Sequence, residues 1–319
     1  MNKILEEIGL LGIVPVIAID NADDAEPLAK ALVDGGLPCA EVTFRTSAAK
    51  EAITRIAKAY PSMMLGAGTV LTVEQVKSAF DCGAKYIVSP GLNTKVVEYC
   101  VQKNIPVTPG VATPTEVEMA LEQGLEVVKF FPAEANGGLP FLKAISAPYK
   151  SLKFIPTGGI DETNLLSYLK FNKVLACGGS WMVKSDLINN KQFDEIKRLT
   201  SQAMMKMLGF ELRHVGINNA DASTAMEGAS RLASLFGLAV KDGNSSVFVG
   251  TQFELLKRMY LGAHGHLAIG TNFVDRAVAC LSKSGVGVKP ETKVEKDGKI
   301  ATVYLDIEIG GFAVHLVQL

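Results

Sequence analysis

The chain has 319 residues and a mass of 34.0 kDa, room for one barrel-sized domain and a smaller partner of about 100 residues. Its 32 lysines and arginines against 33 aspartates and glutamates leave a net charge of −1 with no long runs of either sign, which argues against nucleic acid as a partner. The five cysteines, Cys39, Cys82, Cys100, Cys177 and Cys280, form no C-x-x-C pair and read as buried thiols of a reducing compartment.

At the N-terminus Glu6 and Glu7 interrupt what a signal peptide needs as an apolar core, and no later segment offers about 18 consecutive apolar residues, so a soluble cytoplasmic protein without a membrane partner is expected. From residue 12 onward short β-branched runs alternate with amphipathic stretches. The runs are GIVPVIAI (12–19), CAEVTFR (39–45), MLGAGTV (64–70), YIVSPG (86–91), IPVTPGVA (105–112), VVKFFPAE (127–134), KFIPTGG (153–159) and VLACGGSW (174–181). Between them, stretches such as AAKEAITRIAKAY and TPTEVEMALEQG repeat apolar residues at helical spacing. Eight strand–helix units predict an α/β fold closed as a (β/α)8 TIM barrel. The competing open doubly wound sheet lacks its G-x-G-x-x-G turn.

After the helical stretch 193–209 the sequence becomes β-rich, which sets the expected domains at 1–209 and 210–319. LRHVGIN followed by TAMEGASRLASLFGL parallels GHLAIGTNFVDRAVACLSKSG, an internal repeat of about 50 residues. The second domain therefore reads as a smaller α+β unit of two similar halves.

Barrel enzymes draw their catalytic groups from the C-terminal ends of the strands. There, Lys129 sits between Val128 and Phe130 in an apolar run, where an ammonium is stripped of water and the nucleophilic amine is favoured, as an imine-forming lysine requires; its bland alternative is a lysine snorkelling to solvent. Period two puts Glu41, Thr43 and Arg45 on one face of a strand, an acid–base carboxylate beside an anion-binding guanidinium, or else a structural ion pair. Thr69 follows Gly66 and Gly68, and Ser89-Pro90-Gly91 makes a rigid turn at the same rim. Thr157-Gly158-Gly159 and Gly178-Gly179-Ser180 end the seventh and eighth strands, where this fold usually holds a phosphate on backbone N–H groups.

EVTFRT, GAGTV, SPG, TPTE, KFFPAE, PTGGI and GGSW, in this order, make residues 1 to about 208 closely resemble the bacterial KDPG/KHG aldolase family. The resemblance implies a class I aldolase cleaving 2-dehydro-3-deoxy-6-phosphogluconate to pyruvate and glyceraldehyde 3-phosphate, and also 4-hydroxy-2-oxoglutarate to pyruvate and glyoxylate. It implies Lys129 as the Schiff-base lysine and Glu41 as the general base acting through a water. Arg45 and Thr69 would hold the carboxylate, Pro90 and Phe131 line the pocket, and Thr157 contact the sugar-acid chain. Gly158, Gly159, Gly179 and Ser180 would hold the phosphate. PTGG favours the phosphogluconate over the phosphogalactonate branch. No cofactor is implied for the barrel, and the family suggests a homotrimer. The alternatives are a noncatalytic sugar-phosphate sensor, or a phosphogalactonate-branch aldolase with a metal-dependent second activity.

LRHVGIN, FELLKR, GHLAIG and FAVHLVQ resemble the sheet strands of a glyoxalase-like (vicinal oxygen chelate) domain, whose two βαβββ modules form a cup around a metal. By that resemblance His214, Glu254, His266 and His315 are the ligand positions for a divalent transition metal, His315 standing where glutamate is more frequent. A metal-free cup for oligomer contacts or effector binding is the alternative.

Overall fold

The computed structural model describes residues 1–319. The chain forms two compact units, Met1–Met207 and Leu208–Leu319.

The first unit carries eight parallel strands: β1 (Ile13–Ile17), β2 (Cys39–Thr43), β3 (Met64–Gly68), β4 (Tyr86–Ser89), β5 (Val107–Val111), β6 (Val127–Phe130), β7 (Lys153–Pro156) and β8 (Cys177–Gly179). Their order is β7-β6-β5-β4-β3-β2-β1-β8, and isolated bridges from Phe154 to Val174 and from Thr157 to Gly178 join the two ends. This is the expected TIM-type barrel. Strands covered on both faces account for near-continuous apolar runs rather than alternation. Each strand also stops short of the run that predicts it, β8 most of all. The residues left over, such as Arg45, Thr69 and Phe131, enter the loops at the barrel mouth.

Helix starts are written locally. Thr72 with Gln75 and Thr113 with Glu116 form capping boxes, the second with Pro114 in the first turn; such an N-cap contributes about 1 kcal/mol.

The second unit is one eight-stranded sheet: β9 (Glu211–Asn218), β10 (Val240–Asp242), β11 (Ser246–Val249), β12 (Phe253–Leu256), β13 (Gly265–Thr271), β14 (Val294–Lys296), β15 (Lys299–Ile309) and β16 (Phe312–Gln318). A helix, Ala222–Phe236, follows β9, and another, Val274–Lys283, follows β13. The order β10-β11-β12-β9-β13-β16-β15-β14 sets two βαβββ modules edge to edge along the antiparallel β9–β13 pair. The run SSVFVGTQFELLKR folds back as the β11–β12 hairpin, with Gly250 at φ 59° in its turn. Ala225 and Ala229 of the first of these helices cluster with Val247, Val249 and Leu255. Alternation then sends Ser246, Phe248 and Glu254 to the opposite face. No helix in either unit is long and apolar enough to cross a membrane.

Candidate functional site

A cavity of about 350 Å³ opens among the C-terminal strand ends of the barrel. It is lined by Lys129, Glu41, Arg45, Thr69, Pro90, Phe131, Thr157, Gly158, Gly159, Gly179 and Ser180, so the barrel residues to which the resemblance gives a role meet in one place; Gly66, Gly68, Ser89 and Gly91 do not line it. Val16, Thr43, Ile160 and Gly178 complete the lining. Val16 and Ile160 were not anticipated, because an apolar residue in an apolar strand carries no chemical signal. For Val16 the inward phase of β1, in register with Glu41, is the clue that could have been used.

Lys129 and Glu41 form the floor. They are 6% and 3% exposed, and Nζ of Lys129 lies 3.5 Å from Oε1 of Glu41. Oε1 accepts no hydrogen bond, so a buried acceptor beside the amine is left open for a proton or a water. The Phe131 ring centroid stands 5.0 Å from the same Nζ, covering the ammonium with a π face. Glu41 fits only because residue 68 is glycine: a Cβ there would lie 2.1 Å from Oε1. Likewise Gly178 makes room for the Thr157 hydroxyl, 2.3 Å from the position a Cβ would take.

The rim is more exposed and carries the Arg45 guanidinium. Thr43 donates to the Ile17 carbonyl at 2.7 Å and accepts from Arg45 Nε at 3.1 Å, which aims the exposed guanidinium. Thr69 has φ 56°, a left-handed conformation that costs a β-branched residue about 1–3 kcal/mol and is kept where position matters. Gly158 and Gly159 follow β7 with φ of 96° and 82°, a run of left-handed backbone that suits glycine. Behind β8, the Trp181 ring occupies the space a Cβ on Gly179 would need.

The second unit gathers the other candidate cluster. Nε2 of His214 is 3.1 Å from Nε2 of His266 and 3.1 Å from Oε2 of Glu254, and Nε2 of His266 is 3.2 Å from the same oxygen. His315 joins them, its ring centroid 4.7 Å from that of His266, and the three imidazoles offer nitrogens all within 4.8 Å of one another. The triangle cannot be satisfied by hydrogen bonds alone. If both histidines donate to Glu254, their two N–H groups face each other. Its edges match instead the separation of about 3.0–3.4 Å between neighbouring ligands around an ion with bonds of about 2.1 Å.

The tautomer of His315 is fixed. Thr302 Oγ1 donates its proton to the Leu316 carbonyl at 2.8 Å, so at 3.0 Å from His315 Nδ1 it accepts. The proton is on Nδ1, and Nε2, buried and without a partner, carries a bare lone pair. Burial, then His266 and His214, push this imidazole down to about 3. Burial alone raises the Glu254 carboxyl, but the neighbouring His214 and His266 imidazoles and the Ser246 hydroxyl outweigh it and hold the group well below the usual carboxylate range. The donor set therefore fits a borderline divalent transition ion.

A parallel (β/α)8 barrel with a buried lysine and carboxylate at its C-terminal mouth is the class of site in which an amine nucleophile can work. Residues 4–199 match the family model described as KDPG and KHG aldolase, and the chain belongs to that family. The 2-dehydro-3-deoxy-phosphogluconate aldolase of Haemophilus influenzae is 49% identical over 203 residues, spanning 64% of this chain and 96% of that protein. The KHG/KDPG aldolase of Escherichia coli K12 is 42% identical over 192 residues, 60% of this chain and 90% of that one. A crystal structure of the Legionella pneumophila KDPG aldolase, with pyruvate captured at low pH as a covalent carbinolamine intermediate, is similar with a TM-score of 0.61 at 38% identity, covering 62% of this chain and 97% of that chain.

Proposed function

We propose that the barrel is a class I aldolase cleaving 2-dehydro-3-deoxy-6-phosphogluconate to pyruvate and glyceraldehyde 3-phosphate, with 4-hydroxy-2-oxoglutarate as a second substrate. The observation that carries this reading is the buried Lys129–Glu41 pair, 3.5 Å apart, in a cavity whose rim offers Arg45 and two glycine turns.

In this mechanism the Lys129 amine adds to the C2 ketone and water leaves, giving a protonated imine. Glu41, through a water, takes the proton of the C4 hydroxyl. The C3–C4 bond breaks, its electron pair moves into the imine as an enamine, and the aldehyde departs. Protonation at C3 and hydrolysis of the imine release pyruvate and restore the amine. Arg45 and Thr69 hold the C1 carboxylate, Pro90 and Phe131 wall the pocket, and Thr157 meets the chain hydroxyls. Gly158, Gly159, Gly179 and Ser180 take the phosphate on backbone N–H groups. The imine itself is the electron sink, so this route draws on no cofactor. A homotrimeric cytoplasmic enzyme accords with the family resemblance.

The test is borohydride trapping with pyruvate, read by intact mass and peptide mapping. An adduct confined to Lys129 and absent from Lys129→Ala is expected. Well-folded protein that gives no adduct would favour the noncatalytic sensor.

A second reading concerns residues 210–319, which we infer to be a glyoxalase-like domain holding a divalent transition ion on His214, Glu254, His266 and His315. The bare Nε2 of His315, buried without a partner, supports it. A bound ion supplies Lewis acidity there, while Thr302 and Ser246 orient two of its ligands. Elemental analysis of protein expressed with added Zn, Ni, Mn, Co and Fe checks this, and protein free of all five would remove the reading.

A further inference from the structure

The Gly158–Gly159 turn is held from behind with unusual completeness. Three successive carbonyls are engaged: Thr157 O accepts from Ala133 N at 2.8 Å, Gly158 O from Glu134 N at 3.0 Å, and Gly159 O from Asn164 Nδ2 at 2.9 Å. A trans peptide unit is planar, with its N–H opposite its C=O. Anchoring these three oxygens therefore turns the N–H groups of Gly158, Gly159 and Ile160 the other way, and all three residues line the cavity.

Two of the three anchors come from the loop after β6, and its residue Glu134 also buttresses the turn with its side chain. A Cβ on Gly159 would lie 2.6 Å from Cβ and Cγ of Glu134, so the two are flush. The Glu134 carboxylate accepts a hydrogen bond from the hydroxyl of Tyr168, which is 1% exposed on the helix Leu165–Leu169. Asn164, immediately before that helix, holds the turn directly; Tyr168, one helical turn on, holds it through Glu134. Gly138 leaves space for the pair, since a Cβ there would stand 3.0 Å from Glu134 Oε1 and 3.4 Å from the Tyr168 hydroxyl. A carboxylate close to an anion site opposes the anion, so attraction does not explain its presence. Fixed in place, it acts as a strut.

We propose that Glu134 and Tyr168 are a positioning pair that sets the Gly158–Gly159 turn for the phosphoryl end of the substrate, and so governs preference for phosphorylated over non-phosphorylated keto acids. This rests on the reading of the turn as the phosphate site. Neither residue touches the reacting atoms.

Steady-state cleavage of the two substrates, with inorganic phosphate as competitor, tests it on the full chain. Tyr168→Phe is expected to raise KM for the phosphorylated substrate, and Ki for phosphate, by about tenfold, the loss of roughly one hydrogen bond's worth of positioning. Its kcat, its KM for 4-hydroxy-2-oxoglutarate and its pyruvate trapping on Lys129 stay within about twofold of wild type. Glu134→Ala behaves like Tyr168→Phe, whereas Glu134→Gln, which keeps an oxygen for the Tyr168 hydroxyl, recovers most of the affinity. Unchanged KM and Ki in Tyr168→Phe, or equal losses on both substrates, overturn the proposal. If phosphate fails to compete even in wild-type protein, the reading of the turn itself falls, and the proposal with it. Melting temperatures separate either result from a failure to fold.

Discussion

Gly68 shows how finely one position can govern the barrel floor. Its missing side chain is the volume into which Glu41 projects, and a methyl there would sit 2.1 Å from Oε1. Gly68→Ala should therefore displace the carboxylate and reduce cleavage by about 100-fold, as misplacement of roughly 1 Å does, with the melting temperature little changed. Kinetics beside a thermal scan checks this, and full activity would mean that Glu41 is not held where it is needed. The sequence made Lys129 and Glu41 legible because charged residues inside apolar strands are costly and hence informative. It did not reveal what Gly68 is for. GAGTV suggested close backbone approach, but Gly66 clears the Tyr86 ring and Gly68 clears Glu41, and neither partner is near in sequence.

Strand termini carry most of the chemistry. In the barrel, several strands end before their run does, and residues beyond β2, β3, β4, β6, β7 and β8 line the cavity. Such runs predict an element's existence better than its end, because the sequence pattern carries on past the last paired residue. In the second unit β15 supports β16: Thr302 fixes the proton on His315. If the cluster holds an ion as proposed, Thr302→Val, which removes that acceptor, should weaken its binding by about 10–100-fold, measured by competition with a chelating dye. The same histidine makes a pH prediction for chelator-treated protein. Its folded value of about 3 lies below the ordinary 6.5. The stability it contributes is complete above the unfolded value and is lost as pH falls towards the folded one. By pH 5 about 2 kcal/mol should be gone, seen as earlier exchange of the amides of β16; a His315→Gln variant should flatten the profile. The family resemblance named the four residues, but the His315 tautomer and the close triangle of His214, His266 and Glu254 were not legible, since histidines 52 residues apart become neighbours only through β9–β13 pairing.

At the scale of the chain, two architectures share one polypeptide. If the barrel works through an imine, exhaustive chelation should leave the rate of aldol cleavage within about twofold of untreated protein while lowering the melting temperature of residues 208–319. A parallel fall in cleavage would mean that the barrel depends on the ion. Alternation of strand and helix made the barrel readable, and the internal repeat did the same for the second unit, but the edge-to-edge join of its modules was not written in either half alone. That join has a further consequence. His214, Glu254, His266 and His315 lie on β9, β12, β13 and β16, two from each module and all from one chain, so if they hold an ion, occupancy should not vary with protein concentration. An ion held there closes three covalent loops at once, restricting the unfolded ensemble. With an ion bound, the two modules should open in a single cooperative step, and its removal should lower that cooperativity.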